Sequence, residues 1–369
     1  MSEKIDDINN RKNNYKVYIT GLKGFACVMV MLGHFLGLYK YEETFPVKFE
    51  FLDLILDSKL DFILSESFWL YLFFVVSGYL LSFNKIKRIK DILLNSFMRF
   101  LRLGLPILFS CFMIFLIYNI IGFHNKETTD LFFSEFYQGA FSRGSYPFIE
   151  VLLSPFKVLF LKQTTFNNPY WVLREMFIAS IVIYIISYLK NKFPKYNKLI
   201  VAVSLALVFV GFKLSSIVSA CVIGMLLGWY EDRIEKIVTT SGFAISAVLI
   251  TFLCYFLPRT QISLLFFSSL ILYVPKIKIL NSIFSSKVAE FIGKISFGIY
   301  SFHWPLYSSV GALFIIYLSV YFNLKIVLIL AVVLTVLTTI ILSYLYNITF
   351  ERFAGFITKK IKGILFKTK

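Results

Sequence analysis

The chain is poor in the residues that build metal centres and disulfide frameworks. Among 369 residues there are three histidines and four cysteines. Cys27, Cys111, Cys221 and Cys254 are scattered through apolar runs with no Cys-x-x-Cys spacing, as expected of thiols used as small apolar side chains. The histidines (His34, His124 and His303) lie far apart, with no His-x-x-His and no carboxylate at ligand spacing. No metal site is expected from such a set. Acids are also scarce, 21 against 38 Lys and Arg, giving a formal net charge of +17. These cations sit in short segments between apolar runs, so anionic lipid headgroups and an anionic cytoplasmic ligand are the expected partners, and nucleic acid is not. Internal repeats, low-complexity tracts and long polar stretches are lacking too, which leaves one membrane domain over 1–369 and no soluble domain.

What the chain has in excess is apolar surface. It is 58% hydrophobic and 19% aromatic, with 43 Phe and a mean hydropathy of +0.76. Soluble domains run nearer half apolar, and a water-soluble fold could not hide this much. Ten apolar runs approach the length that crosses a bilayer core of roughly 30 Å: 17–38, 66–84, 104–123, 170–188, 199–213, 214–230, 238–257, 260–275, 297–318 and 324–347. The expected fold is therefore an all-α, polytopic transmembrane helix bundle of about ten spans. The first run follows polar residues 1–16 without a small-residue cleavage site and is too long for a signal-peptide core, so it is expected to be retained.

Orientation follows from the basic residues. With the N-terminus inside, 26 Lys and Arg fall on cytoplasmic segments and 10 on the opposite side. That bias puts both termini in the cytoplasm and the protein in the cell membrane. The connections 39–65, which is acidic, and 124–169, which holds an apolar piece at 148–162, then face outward. The tail from Phe350 to Lys369 alternates Phe, Ile and Leu with Lys, as an interfacial basic helix does.

Against this background a few polar residues stand out. Lys23 and His34 lie eleven apart in the first span, which in a helix is a rise of about 16 Å and a return to nearly the same face. Ionisable groups in a span are costly unless they face a polar interior, so both are expected to look into the bundle, Lys23 at the cytoplasmic third and His34 at the outer third. Snorkelling of Lys23 and plain interhelical bonding of His34 are the bland alternatives. Arg99 and Arg102 share a helix face at a span entrance and, with Lys85, Lys87, Arg88 and Lys90, form a basic patch. Arginine suits phosphate through its planar fork, although ordinary positive-inside charge also accounts for the patch. Ser77 and Gly78 suit close helix packing or substrate contact. Arg174 and Glu175 stand at the depth of His34, and either could orient or charge-tune it. His303 is either a structural hydrogen-bonding group or part of a channel.

Five segments in order resemble the membrane-bound acyltransferase 3 family. GLKGFACVMVMLGHF (21–35) is similar to its opening motif, a basic residue and a His with ten residues between. FFVVSGYLL (73–81) resembles its second-span motif, and RFLRLGLP (99–106) its Arg-x-x-Arg element followed by Pro. FIGKISFGIYSFHWPL (291–306) resembles its late motif, and TFERF (349–353) its closing segment. The chain departs from the family in carrying Lys23 where Arg is commoner, and in spacing Trp171 and Glu175 by four residues rather than five.

The resemblance implies O-acylation, most often O-acetylation, of cell-surface or lipid-linked carbohydrate. Acyl-CoA, usually acetyl-CoA, would be the donor substrate, with no bound cofactor. Lys23, Arg99 and Arg102 would hold the donor. His34, with Glu175, would be catalytic, and Ser77, Arg174 and His303 would support the site or line a channel. His34 would act as general base on an acceptor hydroxyl, or His34 or Ser77 would relay the acyl group covalently. The rival from another class is an exporter of a polysaccharide or lipid-linked sugar, which broken helices or repeat symmetry would favour.

Overall fold

A computed structural model describes residues 2–40, 47–58, 61–132, 146–214, 216–237 and 259–367, with isolated positions between 242 and 253. Among the described residues every regular element is a helix. That is the expected answer to an apolar surrounding, where backbone N–H and C=O groups find partners only within their own segment. The helices are α1 (Ser2–Lys40), α2 (Glu50–Leu56), α3 (Glu66–Leu81), α4 (Ile89–Ile120), α5 (Asn125–Phe132) and α6 (Phe148–Leu161). They continue with α7 (Trp171–Lys192), α8 (Asn197–Leu214), α9 (Ser216–Trp229), α10 (Glu231–Ile237), α11 (Arg259–Tyr273) and α12 (Lys278–Phe284). The C-terminal part adds α13 (Lys287–Lys294), α14 (Ser296–Leu306), α15 (Ala312–Leu318), α16 (Leu324–Tyr346) and α17 (Arg352–Lys367).

Five helical stretches are long and apolar enough to cross a membrane: Val17–Leu36, Ile89–Ile120, Asn168–Lys192, Ser296–Leu318 and Leu324–Leu365. A sixth would be Ile262–Lys276 with Lys278–Phe284, a pair bent by 101°. Expected runs 66–84 and 214–230 appear as the shorter apolar helices α3 and α9, and 199–213 falls in α8. The run expected at 238–257 lies almost wholly outside the described residues. The polarity of α16 is inverted relative to a soluble helix. Ile329, Val333, Leu337 and Ile341 are exposed, while Thr335, Thr339 and Ser343 are buried. An outward apolar stripe over a hydroxyl-lined inner face is what a lipid-facing helix needs. The protein is a helical membrane protein.

The chain divides into two compact units. The first comprises Met1–Val28, Ser67–Phe97 and Glu175–Ser296; the second comprises Met29–Glu66, Met98–Arg174 and Phe297–Lys369. In the first, glycines bring helices into backbone contact. A Cβ on Gly78 would collide with the Cys221 carbonyl oxygen, and one on Gly224 with the Val75 carbonyl oxygen, so α3 and α9 meet without side chains between them. Gly24 of α1 likewise abuts the backbone of Gly293 in α13, and the Cys27 thiol donates to the Ser296 carbonyl at 3.1 Å. In the second unit, Gly298 of α14 lies against Ser343, and Gly311 against Thr335, both on α16.

Two prolines shape the second unit. Pro305 has no N–H to give to the carbonyl four residues back, that of Ser301. The side-chain amide of Asn167 fills the vacancy, donating to Ser301 O at 3.0 Å from a position with no solvent exposure. A π turn, Tyr307–Gly311, follows; such turns recur at functional sites. Pro106, inside α4, likewise leaves the Arg102 carbonyl without its helical donor, and its own carbonyl accepts from the Tyr346 hydroxyl at 2.8 Å.

The glycine contacts make a checkable prediction. Gly78→Ala should force α3 and α9 apart and cost about 1–3 kcal/mol, the range for overpacking a tight site. Thermal denaturation in detergent should show a lowered midpoint; an unchanged midpoint would mean that the two backbones are not in contact.

Candidate active site

His34 sits near the C-terminal end of the described part of α1, partly buried, and His303 sits fully buried in α14. Their Nδ1 and Nε2 atoms are 2.8 Å apart. The two rings lie 5.0 Å centroid to centroid at an interplanar angle of 15°. The sequence separation of this pair, 269 residues, is also that of Cys27 and Ser296. Counted from the start of the run 297–318, His303 falls near the cytoplasmic end, whereas His34 is expected in the outer third, yet the two rings touch. The count began too late on the second helix, because α13 already runs beside α1 before Ser296 begins α14.

The hydrogen bonds fix the proton positions. His303 Nδ1 lies 2.8 Å from the Ile299 carbonyl oxygen. A carbonyl can only accept, so Nδ1 of His303 carries a hydrogen. With both rings neutral, His303 Nε2 is then a lone-pair acceptor, and His34 must donate to it from Nδ1. His34 Nε2 is left as the one basic nitrogen of the chain Ile299–His303–His34. Orientation of a working imidazole by a hydrogen bond to its other nitrogen is a recurrent device.

Aromatic rings hold this chain in place. Trp304 lies 5.4 Å from the His34 ring and Tyr300 lies 6.5 Å from that of His303. The Tyr300 hydroxyl donates to the Pro169 carbonyl, Tyr170 packs on Tyr300 at 5.9 Å, and Ser110 shares a 2.6 Å hydrogen bond with the Tyr170 hydroxyl. His303 is thus fixed from its own helix by Ile299, and from the 167–170 segment through Asn167 and Tyr300.

The remaining expected residues are distributed as follows. Lys23 lies partly buried on α1, in the first unit. Arg174 and Glu175 fall on either side of the division between the units, both partly buried. Ser77 is partly buried beside Gly78 at the α3–α9 contact, the packing alternative for that pair. The basic patch separates into parts. Lys85 and Lys87 line a cavity of 310 Å³ with Lys190 and Trp229, where the Lys190 ammonium stands 3.9 Å from the indole centroid. Arg88 pairs with Asp91 at 3.4 Å. Arg99 is partly buried on α4, while Arg102 is exposed and lines a second cavity of 480 Å³ with Pro106 and residues of α17.

Sequence reasoning did not foresee the His34–His303 bond, because nothing local links residues 269 apart. Nor did it foresee Asn167, although a polar side chain just ahead of a span and an in-helix proline elsewhere were both visible. The tautomer assignment is open to direct test. Isotope-edited imidazole NMR of histidine-labelled protein should show the His34 and His303 rings both protonated at Nδ1 and coupled through a hydrogen bond, with the coupling lost in His303→Phe. A His34 signal protonated at Nε2 in the resting protein would refute the assignment.

Among the comparisons with known proteins, a family model identifies the chain. Neither the curated proteins nor the solved structures offer a match. The family described as "Acyltransferase domain", the acyltransferase 3 family, matches residues 16–348, a segment that contains both histidines of the pair and nearly all of the described spans. The chain belongs to the acyltransferase 3 family and is a membrane acyltransferase.

Proposed function

We propose that this protein transfers an acyl group, acetyl in the first instance, from cytoplasmic acyl-CoA to a hydroxyl of a cell-surface or lipid-linked carbohydrate. The observation that carries this reading is the ordered chain from the Ile299 carbonyl through His303 to His34. It leaves His34 Nε2 as a proton acceptor of defined tautomer and direction. Lys23, Arg99 and Arg102 serve the donor in this reading, and Glu175 with Arg174 tunes the charge near the acceptor. The cell membrane is the site of action, with both termini cytoplasmic.

The step balances without a further reagent. The acceptor oxygen attacks the thioester carbon while His34 Nε2 takes the hydroxyl proton. His303 Nε2 accepts from Nδ1–H throughout, so the imidazolium keeps its orientation. Collapse of the tetrahedral intermediate breaks the carbon–sulfur bond, forms the ester, and returns the proton from His34 Nε2 to the departing CoA thiolate.

Export of a carbohydrate is the second reading, favoured by one feature, the 101° bend between Ile262–Lys276 and Lys278–Phe284. Broken spans line transport sites when their freed backbone groups face a cavity. Here the Ile271 carbonyl near the bend accepts from the Tyr18 hydroxyl at 3.0 Å, and Val274 has no solvent exposure. A packed, hydrogen-bonded bend suits a structural role better than a transport site.

Purified protein given acetyl-CoA and a carbohydrate acceptor tests the assignment. His34→Ala should lower the transfer rate by roughly 10²–10⁴-fold while the protein stays folded and inserted. His303→Gln should lower kcat more than KM and displace the pH–rate profile, since the orienting acceptor changes rather than substrate contact. Full activity of His34→Ala would sink the general-base role. Glycan export that persists in that variant without acyl transfer would favour the second reading.

A further inference from the structure

The segment after residue 348 lies beyond the family match, yet it builds the wall of the larger basic cavity. α17 reads RFAGFITKKIKGILFK. Ala354 and Thr358, four apart, are buried and seat one face of the helix. Gly355, Lys359 and Lys362, spaced by four and three, flank that face along one side. The junction before α17 is anchored to α4. Tyr346 donates to the Pro106 carbonyl at 2.8 Å, and Phe350 stacks on Phe109 at 5.2 Å. Phe353 adds a second ring contact to Phe109 at 5.9 Å.

The cavity between them has a volume of 480 Å³, within the roughly 300–1,000 Å³ usual for small-molecule sites. Its chemistry comes from Arg102, Glu351, Lys359 and Lys362, with Pro106 and Gly355 in the wall. Three cations against one carboxylate make it an anion site. The guanidinium offers a planar fork, and the two ammonium groups offer mobile point charges, a combination suited to phosphate. Glu351, whose carboxylate accepts from the Asn347 amide at 2.8 Å, adds an acceptor. A nucleoside phosphate, which carries hydroxyl and amine donors beside its phosphates, suits a lining of both signs. Nothing lies within 4 Å of a Cβ built on Gly355, so the cavity is open at that point.

We propose that this cavity binds the nucleotide phosphates of the acyl-CoA donor, with Lys359 and Lys362 of α17 completing a site begun by Arg102. The assignment rests on the acyltransferase reading above and adds to it a donor-binding element outside the family-matched segment. Phosphate chemistry would also be supplied by an anionic lipid headgroup, so the test separates the two sources.

The probe is CoA itself, titrated calorimetrically into protein in phosphatidylcholine nanodiscs. The wild type should bind CoA, and bind 3′-dephospho-CoA less tightly. The double variant Lys359→Gln/Lys362→Gln should weaken CoA by roughly tenfold or more, as expected for two lost charge-assisted contacts. Gly355→Trp should abolish binding by filling the cavity. Lys360→Gln removes one charge from the same helix but not from the cavity lining, and should leave affinity unchanged. A parallel melt in phosphatidylglycerol nanodiscs tests the lipid. If that lipid stabilises the wild type but not the double variant, and CoA binds both equally, the cavity is a headgroup site and the proposal is overturned. Equal CoA binding by the wild type, the double variant and Gly355→Trp overturns the cavity assignment alone. No CoA binding by the wild type overturns the acyl-CoA reading together with the cavity.

Discussion

In an apolar surrounding each backbone carbonyl must find a donor within the protein, and a helix interior meets that demand by itself except where proline removes an N–H. Pro305 creates such a gap at Ser301, two residues before His303, and the Asn167 amide closes it. The 167–170 segment is thereby tied to α14 beside the histidine, and the Tyr300 hydroxyl ties it a second time through the Pro169 carbonyl. These two bonds hold that segment against α14 together with the packing of Tyr170 on Tyr300. Orientation of His303 and hence the tautomer of His34 follow from the same fixed helix, since the Ile299 carbonyl that sets the first proton lies one turn earlier.

Close packing supplies rigidity that side-chain interdigitation alone would not. Gly24 against Gly293 and Gly78 against Cys221 bring backbones into direct contact in the first unit, and Gly298 against Ser343 does so in the second. Small residues at such crossings favour association where the hydrophobic effect offers no difference between lipid and protein. A helix held by its backbone has little freedom to slide, so a ring projecting from it is placed within the tolerance that a hydrogen bond requires. His34 and His303, at 2.8 Å, need that tolerance.

Much of this was legible in the sequence, and the illegible part has a physical cause. Long apolar runs announced helices, because periodicity and length are local properties. Lys23 and His34 stand out in the sequence as two ionisable groups on one helix for the same reason. Shorter helices such as α3 and α9 were overextended at their ends, since composition continues past the last hydrogen-bonded turn. The partner of His34 was sought in Arg174 or Glu175, because a charged group is the obvious tuner of an imidazole. A second, neutral imidazole 269 residues away carries no signal of that kind. Only the parallel course of α13 and α14 beside α1 reveals it. Lys359 and Lys362 belong to the alternating basic pattern of the tail, and that local pattern carries no sign of the cavity their helix lines with Arg102.

A neutral partner is also the more economical choice for a base inside a bundle. A buried carboxylate beside His34 would have to be desolvated in the resting protein, a cost that its attraction to the ring need not repay. A neutral His303 imposes no such charge. It still fixes the tautomer, because its Nδ1 is committed to a carbonyl and its Nε2 can only accept. In the proposed mechanism charge then appears only when His34 takes the proton of the acceptor, and it disappears when that proton leaves with the thiolate. On that mechanism the histidine chain sets direction and protonation in advance and confines the buried charge to the transfer itself.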